Sequence, residues 1–397
     1  MKFIHTADWH LGLRLGPHEL IETQFAQIER ILQFCIEHDA DALLVAGDVF
    51  EKRTNLAAIT KRLADLLRPH LERGLHVILM PGNHDDREHF RLMRALLEVD
   101  GEAQNRFHVA QQQENFEACG VQWGIMPYPD RDALAQYLHK TGDKSVSAED
   151  RNQAMSRAQV NVVNGISEQF DINKPAVFVG HITIAGVTTS SETELSYAQG
   201  LNLGRNDLPA NAAYIALGHI HQPQQIVGEN MVPCFYSGNL DRYNRGERND
   251  PRKGVRLVEI IAEEGVRPRA ESTWLDLPVT PFHEITIKAD EVEELPTRYP
   301  DLERAFVQIT LDCAGADASA VATARRRIYE LCPRVLDCTP INESADVAAP
   351  ENFAPRDWRV TTMGYVNERF AERADLEDLQ MKTREILEEV ENAIKSR

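Results

Sequence analysis

The sequence predicts an α/β protein with two packed sheets, and three observations carry that prediction. Apolar runs of strand length recur through the first 260 residues and end in turn residues, helical stripes lie between many of them, and strand-like runs crowd together after residue 176. Near-continuous apolar strands that alternate with helices belong to sheets covered on both faces. The crowding after residue 176 points to a second sheet packed on the first.

In chain order, strands are expected at 3–7, 42–47, 76–82, 121–128, 176–181, 214–219, 234–238 and 255–260. Between residues 18 and 38, Leu20, Ile21, Phe25, Ile28, Ile31, Leu32 and Cys35 form one stripe at helical spacing. Residues 57–72 and 153–170 read the same way. Pro278 and Pro281 mark a boundary. Strand-like segments at 282–287, 305–313 and 334–341, with a helical stretch at 318–331, then form a compact βαβαβ-like unit. ESADVAAPENFAP (343–355) reads as a linker, followed from about 364 by a charged helix in which Leu376, Leu379, Ile386, Val390 and Ile394 recur at spacings of three, four and seven. Three regions are therefore expected: 1–277, 278–345, and 346–397 as linker and helix.

Composition narrows the function classes. No apolar run approaches the ~20 residues that span a membrane. The six cysteines lack CxxC spacing and read as reduced thiols in a cytoplasmic protein. A net charge of −19 argues against a surface coated with basic residues for nucleic acid. It leaves room for a local groove or for bound cations that reverse the local field.

The chemistry lies at the strand ends. The first strand runs into Asp8-Trp9-His10, the second into Gly47-Asp48, and the third into Gly82-Asn83-His84-Asp85; later strands end in Gly180-His181 and Gly218-His219-Ile220-His221. Functional groups gather at the carboxyl ends of strands in α/β sheets. Asp8 and His10, like His219 and His221, are two residues apart, so in extended chain they point the same way. Carboxylates, imidazoles and one amide oxygen suit Mn²⁺, Fe²⁺ or Zn²⁺ better than Ca²⁺. Seven such residues exceed the needs of one ion. Two ions about 3.5–4 Å apart sharing one carboxylate is the economical arrangement, and Asp48 is the natural bridge. His84 is expected beside the ions, stabilising charge or protonating a leaving oxygen, with Asp85 holding its ring.

Taken in order, DxH (8–10), GD (47–48), GNHD (82–85), GH (180–181) and GHIH (218–221) resemble the calcineurin-like metallophosphoesterases. Within them, HTADWHLG (5–12), YIALGHIHQPQ (214–224) and FYSGN (235–239) resemble the SbcD-type branch of double-strand-break repair nucleases. The resemblance implies a two-sheet metallophosphoesterase sandwich flanked by helices, with a small α+β capping domain and a C-terminal helical tail. It implies one metal held by Asp8, His10, Asp48 and His221, and another held by Asp48, Asn83, His181 and His219, with His84 catalytic. It further implies Mn²⁺ as cofactor, DNA as substrate, a homodimer through the nuclease domain, and a tail that docks on an SbcC-type ATPase through Leu376, Leu379, Ile386 and Val390. The chain departs from the pattern at Glu51, where the family often has Asp or His after GDVF; the difference is read as tuning. Alternative readings are a phosphodiesterase for a small or cyclic nucleotide, and a DNA-end tether with incidental catalysis.

The remaining polar residues receive plainer expectations. His5 packs in its strand, His18, His38, His70 and His139 occupy helix surfaces, and Asp86-Arg87 starts a helix. DNA contacts are expected from Arg14, Arg53 and Arg87, just beyond metal motifs, and from Arg242 and Arg245 in the loop 241–254.

Overall fold

The computed structural model describes residues 1–51, 56–97, 103–129, 148–188, 202–229 and 232–341, with 363, 379–384 and 387 beyond them. Two six-stranded sheets dominate. The first runs Arg269–Leu277, Lys253–Ile261, Lys2–Thr6, Ala42–Ala46, His76–Met80, Phe107–Val109; its last four strands are mutually parallel and the other two form an antiparallel hairpin on one edge. The second runs Gln224–Gln225, Cys234–Tyr236, Tyr214–Gly218, Ala176–His181, Val121–Met126, Glu114–Ala118, with four parallel strands between antiparallel edges.

Period-two alternation sorts the apolar runs into separate cores. In Ala42–Ala46, Leu43 and Val45 face the helices, while Ala42, Leu44 and Ala46 face the second sheet. The helices Ile21–Glu37, Leu56–Glu72 and Arg87–Leu97 cover the outer face of the first sheet. Between the sheets, Phe3 and Ile78 meet Trp123, Val179 and Tyr214. The helix Ala148–Ser167 lays Val163 and Ile166 on the outer face of the second sheet, against Phe178, Ile215 and Leu217. The result is a helix–sheet–sheet–helix sandwich, as the sequence implied.

A third sheet of three parallel strands, Phe282–Lys288, Phe306–Asp312 and Val335–Ile341, packs with the helix Ala318–Leu331 around its own core. Asp317 caps that helix by accepting from the Ala320 N–H (2.8 Å). This unit joins the sandwich at defined points: the Gln27 side chain donates to the Pro278 carbonyl, and Asp241 accepts from both N–H and hydroxyl of Thr280. All six cysteines are free thiols.

Two expectations change. The stripe from residue 18 does not begin as helix: His18–Glu19 pairs with Arg14–Leu15, and the helix starts at Ile21. His18 accordingly leaves the helix surface; its Nε2 donates to the Val335 carbonyl (2.8 Å), tying the sandwich to the small unit. The strands Phe107–Val109, Glu114–Ala118 and Arg269–Leu277 were not anticipated. Leu379 lies half-buried in the helical stretch 379–384, whereas Leu376, Ile386, Val390 and His139 lie outside the described residues.

Candidate metal centre

Five interior parallel strands, Lys2–Thr6, Ala42–Ala46, His76–Met80, Ala176–His181 and Tyr214–Gly218, deliver their motifs to the same end of the sandwich. The chain must leave these strands sharply, and it does so through unusual backbone. Among the described residues, Asp8 (φ 53°), His10 (45°), Asp48 (50°) and His219 (94°) are four of the six non-glycine residues with positive φ. Strained backbone of this kind persists where the surrounding structure over-determines it. Glycines permit the close approach behind the motifs. A Cβ on Gly47 would lie 2.1 Å from His181 Nδ1, one on Gly82 2.2 Å from Asp48 Oδ1, and one on Gly218 2.0 Å from the Ala46 carbonyl oxygen.

Three groups of ligand-type atoms result: Asp8, His10 and His221; His10, Asp48 and His84; and Asp48, His181 and His219, the atoms of each group lying within 4.8 Å of one another. Asp48 belongs to two of them. His10 Nε2 and His221 Nε2 face each other at 3.1 Å, and His10 Nε2 stands 3.6 Å from Asp48 Oδ2. On the other side, His181 Nε2 lies 3.2 Å from Asp48 Oδ2 and 3.1 Å from Asn83 Oδ1, while His219 Nδ1 lies 2.9 Å from the same amide oxygen. All seven residues expected from the strand-end motifs thus converge.

The outer atoms of the rings fix which nitrogens look inward. His181 Nδ1 faces the Ala46 carbonyl (2.8 Å) and His221 Nδ1 faces Glu247 Oε1 (2.8 Å). Both partners can only accept, so both Nδ1 atoms carry hydrogen, and each Nε2 turns to the cluster. Burial alone would depress these imidazoles, yet Asp48 raises His181 to about 9 and Glu247 raises His221 to about 9. His219 moves the other way, to about 3, through burial and the neighbouring His181. Burial pushes Asp8 up, and Asp48 adds like-charge repulsion; although burial would also raise Asp48, His181 and His10 hold it well below its ordinary range. Buried carboxylates beside ring nitrogens that face a common point, with His219 Nε2 buried and lacking a hydrogen-bond partner, form a donor set that fits divalent cations, which would take the place of the protons on the inward nitrogens.

Two carboxylates differ from expectation. Asp85 was expected to hold the His84 ring; instead its oxygens accept from the backbone N–H groups of Val49, Phe50 and Gly82 (2.8–3.0 Å), clamping the two motif loops together. Its chain position, directly after His84, turns it back toward those loops. Burial, with Asp48 nearby, raises it to about 7. The carboxylate that meets His84 Nδ1 is Glu51, at 3.1 Å, and it also lies 3.4 Å from His10 Nδ1. His84 is 38% exposed and the neighbouring acid 16%, so this pair forms the open rim of the site.

Glu247 was missed. It is fully buried and accepts from His221, Asn244, Asn239, Tyr243 and Lys253. Burial alone would raise its carboxyl, but His221 and Lys253 hold it at about 2. The one local signal was Asn244 three residues before it, an N-cap whose side chain accepts from the Glu247 N–H. Gln24 was missed as well: its amide donates to the Trp9 and His10 carbonyls and accepts from Gly12, holding the DxH loop from the first helix.

The arginines fare differently. Arg242 turns inward to the Thr280 and Asp250 carbonyls, bracing the boundary with the small unit. Arg14 pairs with Glu19 on the surface. Arg245 is exposed, Arg53 lies outside the described residues, and Arg87 begins a helix with its side chain outside them. His5 is buried between the Tyr214 hydroxyl and the Leu217 carbonyl, as expected.

A carboxylate shared between two histidine-rich groups, at the carboxyl ends of strands in a two-sheet sandwich, is a candidate centre for divalent metal ions, of the kind a metal-dependent hydrolase uses. The chain belongs to the calcineurin-like phosphoesterase family, whose model matches residues 1–223. It is 27% identical over 301 residues to a Staphylococcus epidermidis protein named as the D component of the nuclease SbcCD, with 74% of each chain covered. Proteins of the same name from Staphylococcus saprophyticus (28% over 264 residues, 66% of each chain) and Bacillus subtilis (25% over 285 residues, 70% of this chain and 69% of that one) are similar to it too. Among the described residues, no helix is long and apolar enough to cross a membrane.

Proposed function

We propose that this protein is a Mn²⁺-dependent DNA nuclease, acting 3′ to 5′ on duplex ends and endonucleolytically on single strands and hairpins. It would serve as the nuclease component beside an SbcC-type ATPase in DNA repair and recombination. The observation that carries the reading is Asp48 in two ligand groups at once, next to a rim histidine. The relatives' shared name supports the choice of DNA and of the partner.

On this reading Asp8, His10, Asp48 and His221 hold one ion, and Asp48, Asn83, His181 and His219 the other. When bound, the pair of cations supplies positive charge against the phosphate oxygens and lowers the pKa of water. His84 offers the leaving oxygen a proton from Nε2 while Nδ1–H stays on Glu51; this partner fixes the ring and supports its charged form. Gln24 and Asp85 keep the loops in register. The unit 278–345 seats DNA, the tail 346–397 docks the ATPase, and two copies pair through the nuclease domain.

An end-labelled duplex and a hairpin, incubated with Mn²⁺, Mg²⁺ or Zn²⁺, test the reading. Mn²⁺-dependent cleavage is expected, with His84→Ala slower by about 10²–10⁴-fold. Hydrolysis of cyclic or aryl phosphodiesters with DNA left intact would mean a small-substrate phosphodiesterase instead. Removal of residues 356–397 is expected to abolish co-purification with the ATPase and to leave hydrolysis intact.

A further inference from the structure

Outside the ligand cluster, a cavity of about 230 Å³ opens beside the loop that carries His221. Its walls are Gln222 and Pro223, which follow that histidine directly, then Asp250 and Arg252, and finally Arg256 and Trp274 of the edge hairpin. Two guanidinium groups flank one indole: Arg252 stands 4.9 Å and Arg256 5.4 Å from the Trp274 ring centre.

The charges around the cavity do not balance. Arg252 is satisfied by a bidentate pair with Asp276 (3.0 and 3.0 Å), and Asp250 by Lys253 Nζ (2.7 Å). Arg256 meets no carboxylate among the described residues. It lies 3.6 Å over the Phe235 ring, donates to Ser272 Oγ (3.3 Å), and keeps its Nε buried without a hydrogen-bond partner. A half-buried guanidinium that lacks a counter-charge is unfavourable until an anion meets it. In a chain of net charge −19, an unmatched cation in a cavity is a specific feature. Arginine's fixed fork matches the oxygens of a phosphate, and the neutral amide of Gln222 adds donors without opposing an anion.

We propose that this cavity is a phosphate subsite for a nucleic-acid strand, with Arg256 as its cation and Gln222 as its neutral donor. The proposal rests on the nuclease reading above and deepens it. Because Gln222 is covalently next to His221, a strand whose scissile phosphate lies on the ligand cluster continues into this cavity. That differs from the loop arginines expected from sequence, of which Arg242 faces inward.

The test is the affinity of the full chain for a labelled single-stranded oligonucleotide, read by fluorescence anisotropy with chelator present, so that binding is measured without cleavage. Arg256→Gln removes the cation. Since the Arg256 guanidinium stacks on Phe235, Gln222→Glu is tested beside it, placing an anion at the rim with that stacking untouched. Each is expected to weaken binding about tenfold, and Arg256→Gln to shallow the log–log salt slope by about 0.7. Arg30→Gln, an equal charge change on the first helix, is expected to match wild type. Wild-type affinity and slope in both folded cavity variants, or an equal loss in Arg30→Gln, would overturn the proposal. Inorganic phosphate, titrated at constant ionic strength, is expected to leave the strand bound; displacement would assign the cavity to a free anion. Failure of DNA cleavage with cavity-dependent binding intact would count against the nuclease reading alone.

Discussion

The two halves of the metal centre are held by different means. Behind His221 stands a buried side-chain network in which Glu247 joins Lys253, Asn239 and Asn244. Behind His181 the hydrogen-bond partner is backbone: its Nδ1 meets the Ala46 carbonyl, and Gly47 leaves no room for so much as a methyl group. One half is set by charge, the other by proximity. An isosteric charge change should therefore damage the first, and one added carbon the second.

The largest effect is expected from Gly47→Ala. The new Cβ meets His181 Nδ1 at a backbone φ of +93°, so overpacking and left-handed strain together cost about 3 kcal/mol or more. The measurements are the melting temperature and Mn²⁺ binding; an unchanged His181-side site would break the proximity account. Glu247→Gln comes next. It keeps the shape and removes the charge behind His221, and metal affinity is expected to fall about 10–100-fold, read by calorimetry. A loss confined to stability would make the carboxylate a purely structural partner of Lys253. Glu51→Gln should then lower turnover by about tenfold with less effect on metal affinity than Glu247→Gln.

The smallest effect lies at the other end of the sandwich. His76 Nδ1 and His108 Nε2 share a hydrogen bond at 3.2 Å, and His108 stacks on Phe116. Burial, then His76 and Arg94, lowers His108 to about 4 from an ordinary value near 6.5, and burial with Arg106 lowers His76 despite Asp41. The unfolded chain thus binds more protons in this window, so stability is present above pH 6.5 and declines as pH falls toward 4. His108→Phe should flatten that decline in thermal melts from pH 7 to 5; an unchanged slope would place its source elsewhere.

Legibility followed the same division. Asp8, His10, Asp48, Asn83, His84, His181, His219 and His221 could be read because each sits directly at a strand end, where local pattern predicts position. Glu247, Glu51's bond to His84 and Gln24's grip on the DxH loop could not, because each depends on pairing across the fold. Asp85 was assigned to the wrong partner for the same reason: adjacency suggested His84, while the turn delivers the carboxylate to three backbone N–H groups. The unanticipated strand Glu114–Ala118 is a half-exposed edge with polar residues and carries little periodic signal. In the arginine-rich loop, composition does not reveal that the Arg242 guanidinium folds inward while Arg245 stays exposed.

The central claim, that Asp48 is one carboxylate serving two cations, is tested most directly by calorimetric titration of Mn²⁺ into wild type and Asp48→Asn. The account predicts two sites per chain in the wild type and a joint weakening of both in the variant. A single wild-type site, or a variant that loses one site and keeps the other at full affinity, would contradict it.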